Sequence, residues 1–347
     1  MSYFDQFSIY FSGDTLLAGN RKYHLGEITT EFLNLPGEFF KGLQSKADDF
    51  ASSVREMFAS KNKKAAPTVQ EKLNAVFDLL IDVPPYRDIG IDIFTSYHMM
   101  PLLVEQPEKW EKVITPGTEA AQGMEHFIST IENLAHSIFA FTTQSDIMLE
   151  EYFEPLKRRN ADAYGFAFAT YYKNMLKMQP VFAPEIDWGV STEVTLNFIP
   201  ANTFDGTGKF VIAEQMQFTS LVNFLYADLY RGLMHGNCPR RCQNCGRYFL
   251  LTAGYNTCYC NNIAPGETSR TCRKVGAHRK AEREKASGTP AQREYRRAYD
   301  RLKMRKARHK ITVDEWNEKV ALAQECRDLA EQEQISDLEL RDKLSAL

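Results

Sequence analysis

The sequence reads as a mainly α protein: a helical N-terminal domain with a small β-hairpin, then a metal-stabilised cysteine module, then basic helices. Three features carry that reading. Apolar residues recur at helical spacing in segments spread over most of the first 180 positions, one short stretch near residue 195 alternates apolar with polar instead, and six of the seven cysteines crowd between Cys238 and Cys272.

Phe40, Leu43, Phe50, Val54 and Phe58 fall on one face of a helix over 37–60. Val69, Leu73, Val76, Phe77 and Leu80 do the same over 68–81, and Pro84-Pro85 closes that helix. A third helix is expected from about Thr118 to Phe141, with Phe127, Ile131, Leu134 and Ile138 inward, and a fourth from about Ser145 to Met178. Near residue 190 the period changes to two. Val194, Leu196 and Phe198 alternate with Glu193, Thr195 and Asn197, and after the turn signal Asp205-Gly206-Thr207-Gly208 comes Lys209-Phe210-Val211-Ile212, which predicts a hairpin near 190–215. A helix from about Thr219 to Met234, carrying Leu221, Phe224, Leu225 and Leu229, then delivers the chain to the cysteines.

Cys242, Cys245, Cys260 and Cys272 read as C-x2-C-x14-C-x11-C, the spacing of a tetrathiolate zinc site. In the knuckle Cys242-Gln243-Asn244-Cys245-Gly246 the glycine can take a positive φ and turn backbone N–H groups toward sulfur. Four thiolates leave no position for water, so Zn²⁺ here would serve folding rather than hydrolysis. Cys238 and Cys258 compete for ligand roles; Cys260 is preferred to Cys258 because two sulfurs one residue apart chelate awkwardly, and Cys238 lies outside the tight knuckle. His235 and His278 flank the cluster as further candidates, whereas His98, His126 and His136 have no second partner at metal spacing. Met1-Ser2-Tyr3-Phe4-Asp5 meets an acid at once, unlike a secretory leader, so a cytoplasmic location and reduced thiols are expected. No stretch approaches the roughly 18 apolar residues of a membrane span.

Beyond the fourth cysteine a short basic helix begins at Cys272-Arg273-Lys274 and is interrupted at Gly288. Thr289 with Pro290 and Gln292 then forms a capping-box signal for a helix reaching about His309, and Thr312 with Glu315 forms another for a helix through Trp316, Val320, Leu322 and Leu329. The domain organisation implied is 1–235 mainly helical, 236–287 the cysteine module, and 288–347 a helical extension, first basic and then acidic.

The net charge of −3 hides segregation. Residues 240–310 carry 19 Lys and Arg against 5 Asp and Glu, while 1–239 carry 19 against 30 and 311–347 carry 4 against 10. Arg240, Arg241, Arg273 and Lys274 can balance a zinc tetrathiolate, itself −2, but the excess is larger than that. Such a surplus is the footprint of a polyanion partner, with duplex DNA favoured. Candidate contacts are Arg273, Lys274, Arg279, Lys280, Arg283, Arg296 and Arg297. Tyr295 and Tyr299 could stack on bases, although their helical spacing favours packing.

The run Cys242-x2-Cys245, Phe249, Tyr259-Cys260 and a last Cys272 opening an Arg/Lys-rich helix resembles the CGNR-type zinc finger of bacterial transcriptional regulators over about forty residues. It departs from that pattern in reading Cys272-Arg273-Lys274-Val275 and in its longer loop. A closer similarity is to a bacterial family of unknown function, mostly from Firmicutes, with the order Cys-x2-Cys-Gly-x-Tyr/Trp-Phe, Tyr-Cys, Thr-Cys-Arg and a Tyr/Arg-rich helix. Here those are Cys242 to Phe249, Tyr259-Cys260, Thr271-Cys272-Arg273 and Tyr295 to Tyr299. The resemblance supports the same four ligands and brings no activity with it; the module expected is a treble-clef-like or ribbon-like zinc module.

No HExxH, Walker-type loop, G-x-S-x-G or G-x-G-x-x-G motif is present, which leaves enzymatic activity open but without a motif to carry it. The expectation is a zinc-stabilised nucleic-acid-binding bacterial regulator whose N-terminal domain binds a ligand or partner. A protein-interaction scaffold with a purely structural zinc site is the alternative; a nuclease or recombinase would need a buried carboxylate cluster.

Overall fold

A computed structural model describes residues 7–89, 98–182, 194–202, 209–252 and 257–347. The chain divides into two compact units, residues 1–260 and 261–347.

The first unit opens with strands the helical periodicity does not announce. In β1 (Phe7–Ser12) the apolar residues Phe7, Ile9 and Phe11 are buried and alternate with half-buried neighbours. Tight turns at Gly13 and Gly19, with φ of 59° and 57°, lead into β2 (Thr15–Ala18) and β3 (Arg21–His24). Gly19 is required for a second reason: a Cβ there would stand 1.8 Å from the Asp88 carbonyl oxygen. The expected hairpin is present as β4 (Val194–Asn202) and β5 (Phe210–Phe218), but it joins a five-stranded antiparallel sheet of order β3-β2-β1-β5-β4. Its turn signal at 205–208 lies outside the described residues.

Around the sheet lie α1 (Glu27–Phe32), α2 (Gly37–Ala59), α3 (Ala66–Leu80), α4 (Tyr86–Ile89), α5 (Met99–Val104), α6 (Pro107–Ile114) and α7 (Glu119–Met148). Thr118 caps α7 by accepting from the Ala121 amide at 3.1 Å. The helix predicted over 145–178 is corrected. α7 runs on through Met148, opens into a π turn at Leu149–Phe153, and α8 (Ala161–Phe182) starts afresh. Pro155 explains the break, since it lacks a donor and its ring clashes with the preceding turn, and the Asn160 side chain then caps α8 at the Ala163 amide, 3.0 Å away. α9 (Leu221–Met234), capped by Ser220, brings Leu221, Phe224, Leu225 and Leu229 into a core shared with Phe7, Val54, Val76 and Ile138. Arg55 on α2 clamps α7 through Glu132 and Glu125 at 2.7–3.2 Å.

Asp228 on α9 is wholly buried and accepts from the Gly26 amide at 2.7 Å and from the Thr29 amide and hydroxyl at 2.8 Å. It thus serves α1 as an N-terminal cap supplied from two hundred residues away. The unit ends in a ribbon of β6 (Cys238–Arg241) and β7 (Tyr248–Leu251). Cys238 and Tyr248 belong to the main core, and Asn34 pairs with both backbone groups of Tyr248 at 2.7 and 2.8 Å. The boundary read from the sequence at 235/236 therefore falls inside a stretch fastened to the helices.

The second unit holds α10 (Cys272–Ser287), α11 (Pro290–Ala307), α12 (Val313–Glu331) and α13 (Asp337–Ser345). Both predicted capping boxes form, and a third, Ser336 with Glu339, starts α13. Ala298, Ala323, Leu340 and Leu344 form the small core where α11, α12 and α13 meet. No helix among the described residues is long and apolar enough to cross a membrane.

Candidate metal centre and basic groove

The β6–β7 ribbon turns through the knuckle. Gly246 has φ 74°, its amide donates to the Cys242 carbonyl at 2.8 Å, and the Cys242 amide donates to Arg247 O at 2.9 Å. Those bonds close the knuckle, and from further along the chain the Cys260 amide donates to Cys242 Sγ at 3.4 Å. Burial pushes the Cys242 thiol up, but the amides of Cys260, Cys245 and Asn244 outweigh it and bring the thiol down to about 7. In the second unit Cys272 is fully buried as the first residue of α10, behind Thr271, whose hydroxyl accepts from the Lys274 amide.

The Sγ atoms of Cys242, Cys245, Cys260 and Cys272 all lie within 4.8 Å of one another. Cys245 and Cys260 are 3.7 Å apart, far beyond the roughly 2.05 Å of a disulfide. Four converging thiols, three of them buried, suit a metal ion with no open position. The competing candidates stand elsewhere. Cys238 is buried against Tyr164, where burial pushes its thiol up to about 12; Cys258 offers its carbonyl to the Gln243 amide; and His278 lies 3.4 Å from Glu282 on an exposed face.

Arg240 and Arg241, proposed from sequence as counter-charges to the thiolates, pair with carboxylates of the helices, and Arg240 also donates to the Thr257 carbonyl at 2.9 Å. Arg240 grips Glu154 at 2.8 and 3.0 Å, and Arg241 reaches Asp146 and Glu150, both at 2.5 Å. These acids sit where α7 opens into the π turn, a pairing across some ninety residues that spacing cannot reveal.

Among the polyanion candidates, Arg273, Lys274 and Arg279 are exposed on α10; the side chains of Lys280 and Arg283 lie outside the described residues. Arg296 and Arg297 are exposed on α11 and line a groove of about 780 Å³ together with Arg293, Tyr295, Tyr299 and, from α12, Arg327. Tyr295 lies under the Arg327 guanidinium at 5.0 Å and Tyr299 meets Trp316 edge-on, so both rings are largely occupied in packing. Arg293 and Arg327 escaped the sequence reading. Arg293 stands three residues before Arg296 on the same helical face, a usable signal; Arg327 sits in an acidic helix and joins only through the fold.

Residues 189–345 match the model of a family of unknown function (DUF6076), a likeness that takes in the β4–β5 hairpin, the four clustered cysteines and nearly all of the second unit. No curated protein and no solved structure matches the chain.

Proposed function

We propose that this chain is a zinc-stabilised nucleic-acid-binding protein, favouring duplex DNA and acting as a bacterial regulator whose first unit binds a ligand or partner. Zn²⁺ is the favoured ion because a Zn–S bond of about 2.3 Å sets the edge of a tetrahedral tetrathiolate near 3.8 Å, and two of the sulfurs already stand 3.7 Å apart. Four soft thiolates also suit iron, so metal analysis of protein purified without added metal decides between them. The order of cysteines and the Arg/Lys-rich helix after the last one, resembling CGNR-type zinc fingers, supports the regulator reading.

The observation that carries polyanion binding is the α11–α12 groove, where four arginines converge with Asp300 as the one carboxylate among its lining residues. Guanidiniums on a helical face suit phosphates. Fluorescence anisotropy with a labelled duplex tests the reading. Neutralising about five phosphates implies a slope near −4.5 in log affinity against log salt, so a fourfold rise in salt weakens binding roughly 500-fold. Arg296→Ala with Arg297→Ala should flatten the slope by about two and leave metal content unchanged. Absent duplex binding at low salt, or binding indifferent to these changes, would sink the proposal and favour the scaffold. The scaffold reading has its own support in Phe198, Phe210 and Ile212, exposed together on one face of the β4–β5 hairpin.

A further inference from the structure

We infer that the first unit carries a binding site for a planar aromatic ligand bearing an anionic group, in a cavity between α8, α9 and the β4–β5 end of the sheet. This names the ligand class for the sensing role proposed above and rests on that reading only for its regulatory meaning. The cavity measures about 700 Å³, within the range of about 300–1,000 Å³ typical of small-molecule sites.

Its walls are rings. α8 presents Tyr164, Phe168 and Tyr172 at helical spacing, and α9 presents Tyr226 and Tyr230 one turn apart. Tyr226 and Tyr230 lie nearly parallel, 9° between planes at 6.1 Å, and Phe168 leans on Tyr230 at 5.0 Å. Met216 and Phe218 on β5 form the sheet side. Flat, polarisable faces held by mutual packing favour a flat guest that stacks or meets them edge-on.

Charge narrows the class. Among the described lining residues Arg231 is the one charged side chain, and no carboxylate lines the cavity. Arg231 is about one-third exposed, held in place by Glu214 at 2.8 Å and by stacking over Phe11 at 4.7 Å. Glu214 takes one side of that guanidinium but is not among the lining residues, so a cationic guest meets the arginine alone, whereas an anionic one gains from its remaining N–H donors. The Tyr230 hydroxyl extends the argument, because burial raises its phenol above the ordinary range and keeps it a neutral donor, whereas the Tyr226 hydroxyl is already given to Gln144 at 2.8 Å.

Two fluorescent probes on the full chain, without nucleic acid, test this. The anionic 8-anilinonaphthalene-1-sulfonate and its uncharged counterpart N-phenyl-1-naphthylamine share an aromatic body and differ in the sulfonate. Both should bind saturably at one site, with the sulfonate tighter. Gly165→Phe fills the space: Gly165 lines the cavity, a Cβ there meets nothing within 4 Å, and replacing a helical glycine favours α8, so the variant folds. It should lose both probes while melting no lower than the parent. Arg231→Met with Glu214→Gln removes the ion pair as a unit and should weaken the sulfonate about tenfold while leaving the naphthylamine unchanged. Absence of saturable binding by the parent, or undiminished binding in Gly165→Phe, overturns the site. Unchanged sulfonate affinity in the double variant overturns the anionic ligand. Neither outcome touches duplex binding, which is read separately.

Discussion

The six clustered cysteines part into distinct environments. Cys242, Cys245, Cys260 and Cys272 converge, Cys258 has its carbonyl in the knuckle's hydrogen bonding, and Cys238 faces the core. Serine at any of the four converging positions should abolish metal content measured by atomic absorption, while Cys258→Ser and Cys326→Ser should retain it; full occupancy in Cys260→Ser would refute the ligand set. Asp228 supplies a second prediction. Burial pushes its carboxyl from 3.8 up to about 6, against the pull of the Thr29 and Gly26 amides. Between those values the folded chain keeps a proton that the unfolded chain releases, so stability falls as pH rises through that window, by a total on the order of 3 kcal/mol, and the loss is complete above it. Asn at this position cannot titrate and turns an NH₂ toward the Thr29 amide, at a cost of about 1–3 kcal/mol. Urea unfolding at pH 4.5 and 7.5 should show Asp228→Asn further below the parent at the acidic value; parallel losses at both would contradict the assignment.

The helix starts at Thr289 and Thr312 are where sequence and structure agree most closely at the scale of elements. Thr289, Thr312 and Ser336 each accept from an amide three residues on, and Gln292, Glu315 and Glu339 return the bond. Each cap should contribute about 1 kcal/mol, so Ser336→Ala should lower the melting temperature of the second unit, whereas Ser345→Ala should not. Such motifs are legible because all their partners lie within four residues. The same locality made the α2, α3 and α7 faces and the β4–β5 alternation readable, along with the cysteine spacing. Residues 7–24 were equally readable in principle, since Phe7, Ile9 and Phe11 alternate and Gly13 and Gly19 mark the turns, but each strand is too short to stand out beside long amphipathic helices. What spacing could not show are the joints between distant segments. Asp228 on α1, Arg240 on Glu154, Arg327 beside Arg296 and the ring-lined cavity all follow from packing.

At the scale of the whole molecule, the question is how much of the chain would depend on a metal held by the four converging cysteines. Closed tetrathiolate modules commonly fold only when loaded, since binding free energy is their folding free energy. Here the knuckle has other support. Cys238 and Tyr248 lie in the main core of the first unit, Asn34 holds the Tyr248 backbone, and Arg240 and Arg241 are paired to acids of the α7 end. In the second unit, α11, α12 and α13 share their own small core and three capping boxes. Among the described residues, the segment 257–271 contributes to neither core, although Cys260 and Ala264 are buried, and it is held by the Ile263–Thr271 bridge and a few backbone bonds such as Cys272 N to Asn262 O at 2.8 Å. Chelation should therefore loosen that segment and the first turn of α10 while sparing both cores. Brief trypsin treatment with a chelator should open new cuts at Arg270, Arg273 and Lys274, read by mass spectrometry, with α2 and α7 uncut and most far-UV helical signal retained. A single cooperative loss of all helical signal on chelation would show instead that both cores depend on the bound metal, and that the knuckle's anchors to α1 and α7 do not suffice to hold the first unit without it.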